Sequence, residues 1–405
     1  MPALTGRGVI PRTELRLLGV MREWRAMKPT STHFAGRFPK FAGAILAALC
    51  ILSVAPNAFA QKRRIIVDQD GSGPGGSNQM AMMVFLLSPK VDVLGLTMVT
   101  GNAWRDEEVA HTLRMLELIG RTDVPVVPGA VFPLVRKEDE TKLYLQLYGK
   151  QVWLGAWAEQ PQTDTVPGAV PATPPMHGPY VIPPMPEGAP HTKPLDEDAA
   201  HFMIRQVHAH PHEVTIYEGG PLTNVAIAMA IDPHFAELTQ GIVMMGGSMN
   251  PQTDDPEFST NPRHEFNFWF DPEAAHNVFR GNWPRIDVTT VDISLKAMFT
   301  QEMIDAIGKS ANPAAQYIAK FSQERYYMWD ELAACAWLDP TIITKEKVEY
   351  MDVNIDHGAN YGDTLTWTEK LKPADDVKLA HAQLDVNLPK FTKMFEEIMM
   401  RPTPH

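Results

Sequence analysis

A chain of 405 residues holds one large domain or two ordinary ones, and its 44% apolar and 21% charged residues are ordinary for a globular protein. The net charge of −12 repels phosphate backbones and argues against nucleic-acid polymers as partners, though not against a neutral small molecule.

The first forty residues carry eight basic and two acidic side chains. They lead into the uncharged run "FAGAILAALCILSVAPNAFA", which ends in Ala58-Phe59-Ala60. A positive region, a short apolar region and an A-x-A site make a secretory leader, and the apolar part is too short for a comfortable membrane span. Residues 1–60 are therefore read as a signal peptide cleaved after Ala60, with Met21 and Met27 as alternative starts. A secreted or periplasmic location follows, with no membrane attachment after cleavage. Removing eight of 36 basic and two of 48 acidic residues takes the net charge from −12 to −18. Only Cys335 survives, so the mature chain forms no internal disulfide.

From Arg63 on, strand-like and helix-like patterns alternate. "RRIIVDQD" reads as a buried strand, "NQMAMMVFLL" as a buried helix and "VDVLGLTMVTGN" as a second strand. "DEEVAHTLRMLELIGR" places Val109, Leu113 and Leu116 at helical spacing, with acids in the first turn and Gly120 at the end. Residues 161–190 are about one-third proline, which excludes helix and central strand. They form a long loop, either an active-site wall or a passive excursion. "HAHPHEV" sets His208, His210 and His212 at alternate positions, but Pro211 breaks any zinc-binding helix, so a solvated loop is expected. "EVTIYEGG", "GIVMMGG" and "IDVTTVDIS" read as further strands, with "NVAIAMAI" and "DPEAAHNVF" as helices. Such alternation specifies an α/β fold: a mostly parallel open sheet with helices on both faces, in a single catalytic domain over 61–405.

Polar residues and glycines gather where these strands end. Asp68 and Asp70 close the first, Thr100, Gly101 and Asn102 the second, and Gly219, Gly220 and Thr223 follow the third. Ligands of open parallel sheets sit outside the carboxyl ends of the strands. Asp70 suits a hard cation, and Asp330 could add a second carboxylate or simply cap a helix. Glu265 and Asn267 fall on one face of an extended stretch and could grip hydroxyls.

With these residues in place, the chain resembles the nucleoside hydrolase family, the inosine-uridine-preferring N-ribohydrolases. "GGPLTNVAIAMAIDP" and "EFNFWFDPEAAHNVF" carry the resemblance, with "LGLTMVTGN", "LELIGRTDVPVVPGA", "IVMMGG" and "NYGDTLTW" in the right order. It runs from about Arg63 to about Ile398. The family opens with Asp-x-Asp-Pro-Gly-x-Asp-Asp. Here Asp68 and Asp70 keep the first pair, while Ser77 and Asn78 stand at the second after three extra residues. The resemblance implies calcium held by Asp70, Asn78, the Thr223 carbonyl and Asp330, more weakly for the charge lost at Asn78. It implies a sugar held by Asp68, Ser77, Asn102, Asn261, Glu265 and Asn267, with Asp70 as general base.

Many family members place a histidine before the distant Asp. Trp329 stands there instead, as in the purine-preferring branch, and stacking on the base is its implied catalytic part, with Tyr148, Trp153 or Trp157 opposite. The implied activity is calcium-assisted hydrolysis of ribonucleosides, purines favoured, by a homodimer or homotetramer. The alternatives are a non-hydrolytic ribose or nucleoside binder, or a hydrolase of another riboside. "IIVDQDGSG" is also similar to the first motif of haloacid-dehalogenase phosphatases, in which Asp68 would be the nucleophile.

Overall fold

The strand β1 (Arg63–Gln69) is buried along all but its first two residues. Its side chains alternate between two apolar clusters: Ile65 and Val67 join one, Ile66 the other. A strand buried on both faces needs parallel neighbours and helical cover, and β1 has both. The computed structural model describes residues 62–162, 177–373 and 376–404. The predicted leader and the middle of the proline-rich stretch lie outside them.

Eight further strands complete one sheet: β2 (Val91–Met98), β3 (Val126–Pro128), β4 (Val214–Glu218), β5 (Gly241–Met245), β6 (Ile286–Thr289), β7 (Ile343–Val353), β8 (Thr364–Trp367) and β9 (Lys378–Val386). Their order is β3-β2-β1-β4-β5-β6-β9-β7-β8. The strands from β3 through β9 in that order pair in parallel, and β7 runs antiparallel to both its neighbours. The first six strands follow the doubly wound 3-2-1-4-5-6 order. The chain reverses its winding between β1 and β4, and a crevice opens there at the carboxyl ends.

Helices cover both faces as the alternation required. Ser77–Leu86, Arg105–Ile119 and Trp329–Leu338 bury their apolar sides in the cluster with Ile65, and Ala199–Ala209, Thr223–Ile231 and Pro272–Phe279 do so around Ile66. Ser77–Leu86 is buried at all ten positions, and Phe85 alone contributes roughly 2–3 kcal/mol by leaving water. Helix Arg105–Ile119 opens on Asp106, Glu107 and Glu108 and ends at Gly120 in the left-handed region, φ 78°.

Two local expectations are corrected. "EFNFWF" is a short helix, Phe266–Phe270, because the Glu265 side chain accepts from the free N–H groups of its first turn. "IDVTTVDIS" is a strand only to Thr289 and then turns helical over Val291–Ser294. The histidine triplet straddles the end of helix Ala199–Ala209, where His208 pairs with Asp232 at 2.7 Å. Among the described residues, no helix is long and apolar enough to cross a membrane.

Candidate active site

Asp70 follows β1 directly and is wholly buried. Three N–H groups meet its carboxylate. Asn78 Nδ2 and Asn102 Nδ2 donate to Oδ1 at 2.7 and 3.1 Å, and the Asn102 backbone N–H donates to Oδ2 at 3.0 Å. Asn78 reaches in from the first turn of helix Ser77–Leu86. Its amide also donates to Gln69 Oε1 at 2.7 Å and to the Gly219 carbonyl at 3.2 Å. Gly101 lets the β2 turn come this close, because a Cβ there would stand 2.2 Å from Asp70 Oδ2.

Asp330 approaches from helix Trp329–Leu338. Met328 holds the cap position, so Asp330 is not used as a cap. Its Oδ1 is buried without a hydrogen-bond partner among the described residues. Its backbone N–H donates to Ser77 Oγ at 3.1 Å, and Ser77 donates onward to Glu331 Oε2 at 2.5 Å. From the β5 side, Glu265 accepts backbone N–H groups of Gly247, Asn267 and Phe268 at 3.0, 2.8 and 3.1 Å. Asn267 is fixed by donation to the Met245 carbonyl at 3.0 Å.

A cavity of about 630 Å³ opens beside these groups. Ser77, Asn78, Asn102, Glu265, Asn267 and Asp330 line it, together with the rings of Trp153 and Trp329. Of the three aromatic candidates for the opposite face, the structure selects Trp153, whose Nε1 donates to Asn102 Oδ1 at 2.6 Å. Trp157 is packed away against Trp104 and Phe270, and Tyr148 sits half-exposed against Tyr144. Pro183, Pro184 and Pro186 also line the cavity, so the described part of the proline-rich loop is a wall of the site.

Four of the site residues named from the sequence do not line this cavity. Asp70 itself lies behind Asn78 and Asn102, whose side-chain amides cover its carboxylate. Thr223 opens a helix, so its carbonyl runs along the helix axis, and its hydroxyl donates to Asp271 Oδ2 at 2.6 Å. The carbonyl that reaches Asn78 is Gly219, one turn earlier. Asn261 donates to Asp363 Oδ1 at 3.3 Å outside the lining. Asp68 is held beneath the site by Thr97 Oγ1 at 2.5 Å and Asn224 Nδ2 at 2.9 Å. So placed, it cannot be the nucleophile of a phosphatase. Gln69 and Glu331 carry no mark in the sequence, and Gly219 is marked there as a strand-end glycine but not as a ligand.

The electrostatics are those of crowded acids. Burial drives Asp70 well above the usual carboxylate range, and repulsion from Asp330, then Glu265, adds to it. Asp330 is raised by burial and by Glu331. Burial lifts Glu265 to about 7 despite its N–H donors, and Glu331 to about 7.

A hard divalent cation fits this donor set. The Asn78 amide nitrogen stands where Asp70 Oδ1, Gln69 Oε1 and the Gly219 carbonyl converge, and turning that amide over presents an oxygen instead. Among the described residues Asp330 Oδ1 lacks a partner, and Asp70 and Asp330 repel. A cation held by Asp70, Asp330, Asn78 and Gly219 would relieve both defects.

The sequence profile of the family described as "Inosine-uridine preferring nucleoside hydrolase" matches residues 65–393. The "Probable uridine nucleosidase 2" of Arabidopsis thaliana is 31% identical over 271 residues, 66% of this chain and 71% of that protein. The "Pyrimidine-specific ribonucleoside hydrolase RihA" of Photobacterium profundum is 31% identical over 258 residues, 64% and 70% of the two chains. A solved "Purine-Preferring Ribonucleoside Hydrolase from Gardnerella vaginalis" shares the fold, with a TM-score of 0.63, 20% identity and coverage of 84% of this chain and 98% of that one. Family members are metal-dependent, in keeping with the donor set around Asp70. The chain belongs to the inosine-uridine-preferring nucleoside hydrolase family and is a nucleoside N-ribohydrolase.

Proposed function

We propose that this chain hydrolyses the N-glycosidic bond of purine ribonucleosides in preference to pyrimidine ones, with calcium as its metal. The observation that carries the purine preference is Trp329 beside Asp330 in the cavity lining, supported edge-on by Tyr327 and tilted against Phe258, with ring centroids 5.1 and 6.0 Å away. A braced indole offers a broad face to a two-ring base, and stacking contributes roughly 1–3 kcal/mol per base.

Cleavage leaves positive charge on the ribose in an oxocarbenium-like transition state. Glu265 and Asp330 supply negative charge around that sugar, and the N–H donors on Glu265 fix its carboxylate in place. Asn102 and Asn267 hold hydroxyls, the Asn102 side chain fixed by Trp153, Asp70 and Asn78 and that of Asn267 by the Met245 carbonyl. Asp70 is the general base, its carboxylate oriented by Asn78 and Asn102. When bound, calcium would acidify water beside Asp70 and orient the vicinal hydroxyls. The indole N–H of Trp329 is too weak an acid to protonate a base nitrogen, so stacking rather than acid catalysis assists departure of the base. The enzyme acts after export through a cleaved leader, as a single catalytic domain assembled into dimers or tetramers.

The test is base release by the purified mature chain with calcium, comparing inosine and guanosine with uridine and cytidine. Faster turnover of the purine nucleosides is expected. Faster turnover of uridine overturns the purine preference, and no release from any of the four overturns the whole reading.

A further inference from the structure

Glu331 is a fully buried carboxylate whose hydrogen bonds come from two hydroxyls. Tyr326 O–H donates to Oε1 at 3.0 Å and Ser77 O–H donates to Oε2 at 2.5 Å. Ser77 and Tyr326 both line the cavity, whereas Glu331 lies behind them. An interior carboxylate without a cationic partner is expensive, and an apolar residue in its place would be the more stable choice. Its position therefore calls for a role.

Ser77 shows what that role is. A serine hydroxyl has one proton and two lone pairs. The proton goes to Glu331, and the Asp330 backbone N–H takes one lone pair at 3.1 Å. The other lone pair is left for the cavity. A hydroxyl donating to a buried carboxylate is a stronger acceptor than one donating to water, because polarisation passes along the chain of hydrogen bonds.

We propose that Glu331 is a positioning residue that makes Ser77 act toward a sugar hydroxyl as a carboxylate would. It returns to this side of the ribose, from the helix opposite, the charge that a serine at position 77 lacks. The relay runs from sugar O–H to Ser77 Oγ, and from Ser77 O–H to the Glu331 carboxylate. No proton needs to leave. As the ribose gains positive charge its hydroxyls become better donors, so the relay tightens in the transition state and contributes to kcat as well as to binding. The proposal rests on the nucleoside reading of the cavity.

The test is a double-mutant cycle of Ser77→Ala and Glu331→Gln in the full chain, read on a ribonucleoside and on its 2′-deoxy and 3′-deoxy counterparts. Each single change should lower kcat/KM on the ribonucleoside about tenfold or more, the size expected for a charge-assisted bond. The double variant should fall no further than Ser77→Ala. On the deoxynucleoside that lacks the hydroxyl taken by Ser77, all four proteins should coincide. Ser77→Asp should lose activity by setting two buried carboxylates in contact, and adding Glu331→Gln should recover most of it.

Penalties that multiply overturn the proposal, as do equal penalties on both deoxynucleosides, a Ser77→Asp defect that Glu331→Gln leaves unrelieved, or a Glu331→Gln effect confined to calcium affinity. If the parent chain binds nucleosides without turnover, the same cycle is read as Kd by calorimetry and decides the same way. If it neither binds nor hydrolyses them, the functional reading falls and Glu331's role with it, a result distinct from multiplying penalties in an active enzyme.

Discussion

Asn78→Asp tests the geometry around Asp70 most directly, because its sign depends on whether a cation is present. The Asn78 amide nitrogen makes three donations, at 2.7, 2.7 and 3.2 Å. An aspartate there turns a donor among acceptors into another acceptor. The two N–H groups of the Asn78 amide serve those three acceptors, and losing them costs about 2 kcal/mol. Two ionised carboxylates this close would repel by about 6 kcal/mol at an effective dielectric of 20. Protonation of one of them relieves most of that. In chelator the variant should therefore lose about 2–6 kcal/mol, on the order of 5–10 °C in melting temperature for a chain this long. With calcium the extra charge becomes a ligand. A hundredfold gain in affinity would return about 2.7 kcal/mol in excess metal. Calorimetric unfolding of both proteins, in chelator and in excess calcium, reads both terms. Equal melting temperatures in chelator together with equal calcium shifts would refute the arrangement of Asp70, Asn78 and Gly219 described above.

Gly101→Ala should displace Asp70, since the new methyl group would stand 2.2 Å from Oδ2 and 2.7 Å from Pro221 Cδ. A fall in kcat of a hundredfold or more, on the order of the loss of a principal catalytic group, is expected from steady-state assay, and undiminished turnover would remove Asp70 from the mechanism. Trp329→Ala should lower kcat/KM for inosine roughly 5- to 150-fold, the range of one lost base stack, and Trp329→Phe should lower it less. An unchanged value means that the base lies elsewhere. His111 is buried, but its bonds to Glu107 and Glu187 outweigh that burial and raise it from 6.5 to about 9. The folded form thus holds this proton more tightly than the unfolded chain. Its contribution is complete below pH 6.5 and is lost as pH rises through about 9. Thermal unfolding of the parent chain should show that decline and His111→Gln should not. Because Glu187 anchors the proline-rich wall to His111, the variant should also be cleaved faster in that wall by protease.

The sheet and its ligand-bearing rim were legible because they depend on patterns. Apolar runs between punctuation gave β1, β2, β4 and β5, and polar residues at their ends gave Asp70, Asn102 and the Gly-Gly after β4. What stayed hidden depends on direction rather than pattern. Every residue has a carbonyl, so nothing in "GGPLTN" says that Gly219 turns its oxygen inward while Thr223 spends its own on a helix. Glu265 and Asn267 were placed in the cavity for a reason that proved wrong. Alternation suggested an extended face, whereas the Glu265 carboxylate starts a helix by satisfying that helix's own N–H groups. Trp153, Trp157 and Tyr148 have the same chemistry, and only packing separates them. Glu331 sits in a helix beside Asp330 and looks like first-turn acid. Its meaning depends on Ser77, 254 positions away.

Acids dominate the interior around this rim. Asp68, Asp70, Glu108, Glu218 and Glu331 are fully buried, and Asp330 and Glu265 are 4% exposed. Each is raised above its ordinary range, with burial as the largest cause. Glu218 and Asp68 repel as buried neighbours, as do Glu108 and Asp70. Such a group is tolerable in two ways, by holding protons or by holding a cation, and the two compete. Calcium binding near neutral pH should therefore expel protons from Asp70 and Asp330, and from the fraction of Glu265 still protonated near its value of about 7. Titrating calcium into the metal-free chain in buffers of different ionisation enthalpy counts them. More than one proton per calcium is expected at about pH 6, falling as pH rises above about 7. Proton release of zero across that range would mean that these carboxyls are already ionised without metal, and the site would then be neither as dry nor as crowded as its geometry requires.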